Sequence, residues 1–236
     1  MQTTSMHVSM HALDNVIWQA LTTRHARFAE GSGQARRFVR EVSPLTAFED
    51  ESPEGYVAVA DLVGAGGTAA LFLDSAYQPR SGWELTAGGP MLQMVCENGG
   101  AEPARSDSPE IVHLGVTDSP EMLELAALTK PGPFGSRTHE LGAYVGIRSQ
   151  GKLVAMAGER LKVPGYTEVS AVCTHPDHTG KGYARVLMTE IMRGIRQRGE
   201  TPFLHVRRDN TRAIGVYEQL GFRTRTTPHF AVLRKS

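Results

Sequence analysis

Residues 167–199, "TEVSAVCTHPDHTGKGYARVLMTEIMRGIRQRG", constrain this chain more than any other stretch. A strand-like run ends at Thr174, and Pro176, Gly180, Lys181 and Gly182 then form a turn. Beyond the turn, Ala184, Leu187, Met188, Ile191 and Ile195 recur at helical spacing along one face, with Arg193, Arg196 and Arg198 near the helix's negative end. A glycine-rich turn between a strand and a helix leaves free backbone N–H groups at the positive end of the helix dipole, which suits an anion such as phosphate. Glycines at 180 and 182 allow the backbone to come close to that phosphate.

Two nucleotide patterns fail at this turn. The P-loop spacing would place its first glycine at His175 and Ser or Thr at Gly182, and the dinucleotide fingerprint would end at Arg185. A match to the dinucleotide fingerprint also occurs at Gly64, Gly66 and Ala69 in "VGAGGTAALF". The residues that follow are too few to supply the required helix, so a glycine-rich hairpin loop is expected there.

The neighbouring segments extend the pattern. "IVHLGVT" reads as a strand, and "DSPEMLELAALT" as a helix with Asp118 or Ser119 as cap and Pro120 at its first position. "LGAYVGIRSQGKLVAMAGERLKV" reads as a hairpin turning at "SQGK". "PFLHVRR" predicts a strand, "TRAIGVYEQLG" a short helix, and "FRTRTT" with "HFAVLRK" a closing pair of strands. The expected fold class is α/β (α+β), with a mixed, mostly antiparallel sheet flanked by helices.

A Gly-, Pro- and Ser-rich stretch, "CENGGAEPARSDSPE" at 96–110, reads as a linker. It separates a smaller α+β half, residues 1–105, from a domain at 108–236. In the first half, "ALDNVIWQALTTRHARFAE" predicts a helix, while "YVAVADLV", "AALFLD" and "MLQMVCE" predict strands.

Twenty-five basic and twenty-five acidic residues balance, which argues against a general nucleic-acid binder. Two cysteines among 236 residues do not make a disulfide framework. The sequence shows no apolar run long enough to span a membrane and no secretory signal at its start. A soluble, cytoplasmic protein is expected.

"AVCTHPDHTGKGYARVLM" resembles the acyl-CoA-binding motif of the GNAT acetyltransferase superfamily, [QR]-x-x-G-x-[GA] after a strand. "NTRAIGVYEQLGF" resembles that superfamily's second signature, in which Asn, Ala and Tyr precede Leu-Gly-Phe. The resemblance covers a little over half of the chain. The leading half looks like the degenerate half of glycine N-acyltransferase-like branches, which implies one CoA site per chain.

The resemblance implies transfer of an acetyl group from acetyl-CoA, as co-substrate, to a small-molecule or peptide amine, with no metal. An acyl-CoA sensor without turnover is the alternative. Backbone groups of Val172, Cys173 and Thr174 would hold the pantetheine arm, helped by Asn210. The turn from Thr179 through Gly180, Lys181, Gly182, Tyr183 and Ala184 would hold the pyrophosphate. Thr179 stands where the motif has Arg or Gln, so binding there would rest on the backbone N–H groups of residues 180 to 184, with charge from Lys181.

Tyr217, seven residues after Asn210, is the implied proton donor to the departing thiolate. Glu168 is the implied base. Alternation along an unbroken strand would put Glu168, Ser170, Val172 and Thr174 on one face. His205, on the next strand, is the second candidate, since an imidazole titrates near neutral pH. Cys173 reads as a packed strand residue, and His175, Asp177 and His178 as solvated turn residues.

Overall fold

The computed structural model describes residues 11–97 and 109–236. Most of the linker-like stretch, and the expected boundary between residues 105 and 108, lie outside the described residues. Twelve strands and five α-helices are laid out along the described chain. The leading half carries α1 (Val16–Thr22), β1 (Ala29–Glu30), β2 (Ala35–Phe38), β3 (Thr46–Phe48), α2 (Pro53–Val63), β4 (Thr68–Leu73) and β5 (Trp83–Val95). Then follow β6 (Val112–Leu114), α3 (Ser119–Thr129), β7 (Tyr144–Ser149), β8 (Lys152–Val163) and β9 (Tyr166–Thr174). The chain closes with α4 (Tyr183–Gln197), β10 (Thr201–Arg207), α5 (Thr211–Gln219), β11 (Arg223–Thr226) and β12 (His229–Lys235).

The mixed, mostly antiparallel sheet flanked by helices is present. Nine strands form it, in the order β4-β12-β5-β10-β9-β8-β7-β6, with β11 also on β5. Among the described strands, β9 and β10 make the one parallel pair. A separate antiparallel sheet joins β1, β2 and β3.

Besides the first predicted helix, which ends at Thr22 and gives way to β1 at Ala29–Glu30, three readings differ from what the sequence suggested. "YVAVADLV" lies in α2, where Ser52 caps Gly55 N–H at 3.1 Å and Pro53 occupies the first turn. Tyr56, Val59 and Val63 face inward while Val57 stays 60% exposed, a spacing that only a helix produces. The glycines after it therefore link a helix to strand β4 rather than two strands, and Gly64 (φ 73°) ends the helix. Third, β11 and β12 do not pair with each other. They lie end to end along one edge of β5, β11 at Gln93–Val95 and β12 at Trp83–Pro90.

The other edge of β5 is hydrogen-bonded to β10 through Met91–Val95. A strand of the leading half thus sits inside the main sheet, and the two halves of the chain share it. Gly88 makes the close approach to β12 possible, because a Cβ there would stand 2.4 Å from the Phe230 carbonyl oxygen.

Helices cover both faces. Leu187, Met188, Ile191, Met192 and Ile195 of α4 pack on Val145, Val154, Ala157, Val169 and Leu204. Each such burial stabilises by roughly 2 kcal/mol. On the opposite face α3 contributes Met122, Leu125 and Ala126 against Tyr144, Met156 and Cys173. Helix α1 covers the Leu161, Val163 and Phe203 end of the sheet. Among the described residues no helix is long and apolar enough to cross a membrane.

Candidate active site

The site begins where the parallel pair separates. Strands β9 and β10 are in register only from Tyr166–Glu168 against Thr201–Phe203. Beyond that point each presents an edge without a partner strand, and a cavity of about 660 Å³ opens between residues 169–174 of β9 and 204–207 of β10. An unpaired strand edge offers alternating N–H and C=O groups to an extended amide-bearing ligand.

A bulge shapes the β9 side. Gly158 pairs with Ser170 but Met156 pairs with Cys173, so three residues of β9 span two of β8. Ala171 sits within the bulge at φ 53°. The extra residue breaks the alternation expected from Glu168 to Thr174. Val169 and Val172 join the α4 cluster, whereas Ala171 and Cys173 join the α3 cluster. Glu168 and Ser170, alternating with Val169, therefore share the side of Cys173 and not that of Val172.

Val172, Cys173, Thr174, Asn210 and Tyr217 all line the cavity. Burial pushes the Tyr217 phenol up to about 12, so it stays protonated at neutral pH. Asn210 also caps α5, its Oδ1 accepting from Ala213 N–H at 3.2 Å, which leaves its amide NH₂ for another partner. Cys173 is buried and its thiol is raised to about 11, in keeping with a packed strand residue rather than a nucleophile.

The turn after β9 lies outside the cavity wall, directly beyond Thr174. Gly180 (φ 80°) and Gly182 (φ 76°) adopt left-handed conformations, and no side chain caps the first turn of α4. Thr179 folds its hydroxyl inward to donate to the Pro176 carbonyl at 3.0 Å, while Lys181 Nζ lies 3.4 Å from His178 Nδ1. His175 Nδ1 accepts from Asp177 N–H. Tyr183 and Ala184 begin α4.

Glu168 is the residue implied as base. It is fully buried, does not line the cavity, and both of its oxygens are occupied. Arg160 grips it with two bonds, Nε to Oε2 at 2.8 Å and Nη2 to Oε1 at 2.7 Å. Leu161 N–H adds a contact to Oε2 at 3.3 Å, and His205 Nδ1 lies 2.7 Å from Oε1. Burial alone would raise this carboxyl, but the Arg160 charge and these hydrogen bonds outweigh it and hold Glu168 far below the usual carboxylate range. So stabilised a carboxylate is a weak base.

His205 belongs to the cavity wall, yet its side chain is 1% exposed. Phe72 stacks on it at 4.3 Å between centroids, and Gln93 Nε2 approaches its Nε2 at 3.2 Å. Gln93 also donates to the Leu13 carbonyl at 2.9 Å and accepts from Arg225 at 2.9 Å. With Nδ1–H given to Glu168, Nε2 is the accepting nitrogen, so every member of this buried chain is satisfied in one tautomer.

Arg160, Gln93 and Phe72 were not singled out in the sequence. Arg160 falls within the run read only as a hairpin. Gln93, a polar residue inside the apolar run "MLQMV", carried a signal that could have been read as a buried partner.

The comparisons with known proteins agree with this architecture. A crystal structure from Novosphingobium aromaticivorans DSM 12444, described as an acetyltransferase from the GNAT family, is 37% identical. It superposes with a TM-score of 0.87, covering 96% of this chain and 100% of that one. The chain belongs to the GNAT family. The FR47-like protein family matches residues 144–231, from β7 into β12. N-alpha-acetyltransferase RimI of Mycobacterium tuberculosis (strain ATCC 25618 / H37Rv) is 36% identical over 99 residues, which cover 39% of this chain and 61% of that relative. A GCN5-related N-acetyltransferase from Kribbella flavida shares the fold at 15% identity, with a TM-score of 0.63 over 96% of each chain. In this GNAT fold, residues 83–95 of the leading half occupy the place beside β10.

Proposed function

We propose that this GNAT-family chain transfers an acetyl group from acetyl-CoA to a primary amine by direct attack within a ternary complex. The observation that carries the reading is the cleft between β9 and β10. It combines an unpaired strand edge at 169–174 with Tyr217 on its wall and a glycine turn just beyond.

The pantetheine arm would lie along Val172–Thr174 as an added strand, with the Asn210 amide beside it. The N–H groups of residues 180–184 would meet the pyrophosphate at the N-terminus of α4, with Lys181 adding charge. The amine nitrogen attacks the thioester carbon, an N–C bond forms and the C–S bond breaks. The sulfur takes a proton from the Tyr217 phenol, and the amine gives one proton to water in the cavity. Lys130 and Arg208 on the wall, cations that no described carboxylate offsets, favour the neutral form of a bound amine. Glu168 and His205 act as positioning residues that hold Arg160 and the β9–β10 junction.

We read the leading half as the degenerate half of a glycine N-acyltransferase-like arrangement, and its Leu45, Phe72 and Gly88–Met91, which line the cavity, would bound the acceptor side. Thiol release from acetyl-CoA with a panel of primary amines tests the function. Turnover that falls in Tyr217→Phe supports it. Tight CoA binding with no turnover by any amine would instead make the chain an acyl-CoA sensor.

A further inference from the structure

The acceptor end of the cavity has a chemistry of its own. The Arg160 guanidinium has five N–H donors, and Glu168 takes two of them side-on through Nε and Nη2. Among the described residues Nη1 has no partner, although the arginine is otherwise held rigidly and its side chain remains 11% exposed. Arg160 itself lines the cavity while its carboxylate partner does not. The free edge of a fixed guanidinium thus borders the open space.

Two further features surround it. Four cationic residues line the cavity, against a single carboxylate among the described residues, Asp209. Asp209 pairs with Arg207 at 2.8 Å and Glu168 pairs with Arg160, so Lys130 and Arg208 carry the charge on this wall that no described carboxylate offsets. The same cavity wall carries apolar and aromatic side chains, Leu45, Phe72, Phe230 and Met91, and Phe72 stacks on His205, which shares Glu168 with Arg160. Phe72 meets Phe230 edge-on at 5.8 Å.

A cationic wall repels an acceptor bearing a second ammonium group and attracts one bearing an anion. A planar guanidinium edge fits a carboxylate through two parallel bonds. From these we infer that the acceptor is a primary amine that carries a carboxylate and an apolar or aromatic body, of the amino-acid type. Arg160 binds that carboxylate with the edge Glu168 leaves free. This rests on the acetyl-transfer reading for the amine's role, but the binding of the carboxylate does not need turnover.

The test compares three ligands of the CoA-loaded protein by calorimetry: phenylalanine, phenethylamine and the diamine cadaverine. The expected result is phenylalanine binding at least tenfold tighter than phenethylamine, with cadaverine weakest. In Arg160→Lys, which keeps a cation beside Glu168 but lacks the second edge, that preference should fall below threefold. Equal affinities for phenylalanine and phenethylamine in the wild-type protein, binding of neither, or a preference for cadaverine would each overturn the inference. The wild-type comparison decides even if the variant does not fold. Thiol release measured on the same ligands separates the two readings, because selective binding without turnover sinks acetyl transfer and leaves the carboxylate site standing.

Discussion

Nδ1 of His205 lies 2.7 Å from Oε1 of Glu168, joining β10 to β9 just where their parallel pairing ends. The same oxygen receives Arg160 from β8, so three strands are tied at the apex of the cleft. Both residues hold candidate base positions, and both are enclosed. His205→Gln should therefore lower kcat by less than about tenfold and leave the pH profile unchanged in shape. A loss above a hundredfold, with the acidic limb abolished, would restore His205 as the base that takes the amine's proton.

Glu168→Gln removes one partner of a buried pair and leaves the Arg160 charge without its counterion. Such a change costs about 3–5 kcal/mol. Urea unfolding should show it as a lower midpoint with an unchanged slope. A midpoint within error of the wild type would mean that the pair carries no net stabilisation.

Tyr217 and Gly182 separate chemistry from binding. Tyr217→Phe is expected to reduce kcat by about 10- to 100-fold with the KM for acetyl-CoA nearly constant, because the lost proton donor acts on the leaving thiolate. Gly182→Val forces a β-branched residue to φ 76° at the start of α4. It should raise the KM for acetyl-CoA tenfold or more. Steady-state kinetics with varied acetyl-CoA checks both, and identical kinetic signatures in the two variants would contradict the assignment.

His25 gives the fold an acid-side sensitivity. Its Nε2 lies 2.8 Å from the Arg160 carbonyl oxygen, and burial pushes its pKa down to about 4. Between pH 6.5 and 4 the unfolded chain binds a proton that the folded chain refuses. Stability is then complete above the unfolded value and declines as pH falls through this window, by on the order of 2–3 kcal/mol. Chemical denaturation at a series of pH values should show that slope, and His25→Gln should flatten it.

Ala171 tests the bulge. Its φ of 53° is uncommon for a residue with a side chain. Ala171→Gly should stay within about 1 kcal/mol of the wild type and keep activity. Ala171→Val should lose about 2 kcal/mol and much of its acetyl-CoA affinity, because the bulge sets which groups of β9 face the cleft. Thermal melting and KM measurements decide it.

Much of the trailing half was legible because its signals are local. The strand, glycine turn and helix from 167 to 199 are contiguous, and so is the Asn210–Phe222 signature, so adjacent residues carry both the elements and the site they form. The leading half was harder. "YVAVADLV" alternates enough to pass for a strand, and only the Ser52 cap and the inward Tyr56, Val59 and Val63 make it a helix. The placement of Glu168 was lost for another reason: it is enclosed by Arg160 and His205 from the two neighbouring strands, and the extra residue at Ala171 turns Val172 to the opposite face.

By itself the sequence determined the order of elements from residue 112 onward, the apolar face of α4 and the left-handed turn at Gly180 and Gly182. These follow from periodicity and backbone sterics within a few neighbouring residues. Tertiary structure alone decided that β5 lies between β10 and β12, that Arg160 meets Glu168 and His205, and that Phe72 roofs them. Those contacts join residues as distant in the chain as Trp83 and Lys235. Strand pairing over such separations is selected by the burial and hydrogen bonding of the whole sheet, which no short window of sequence contains.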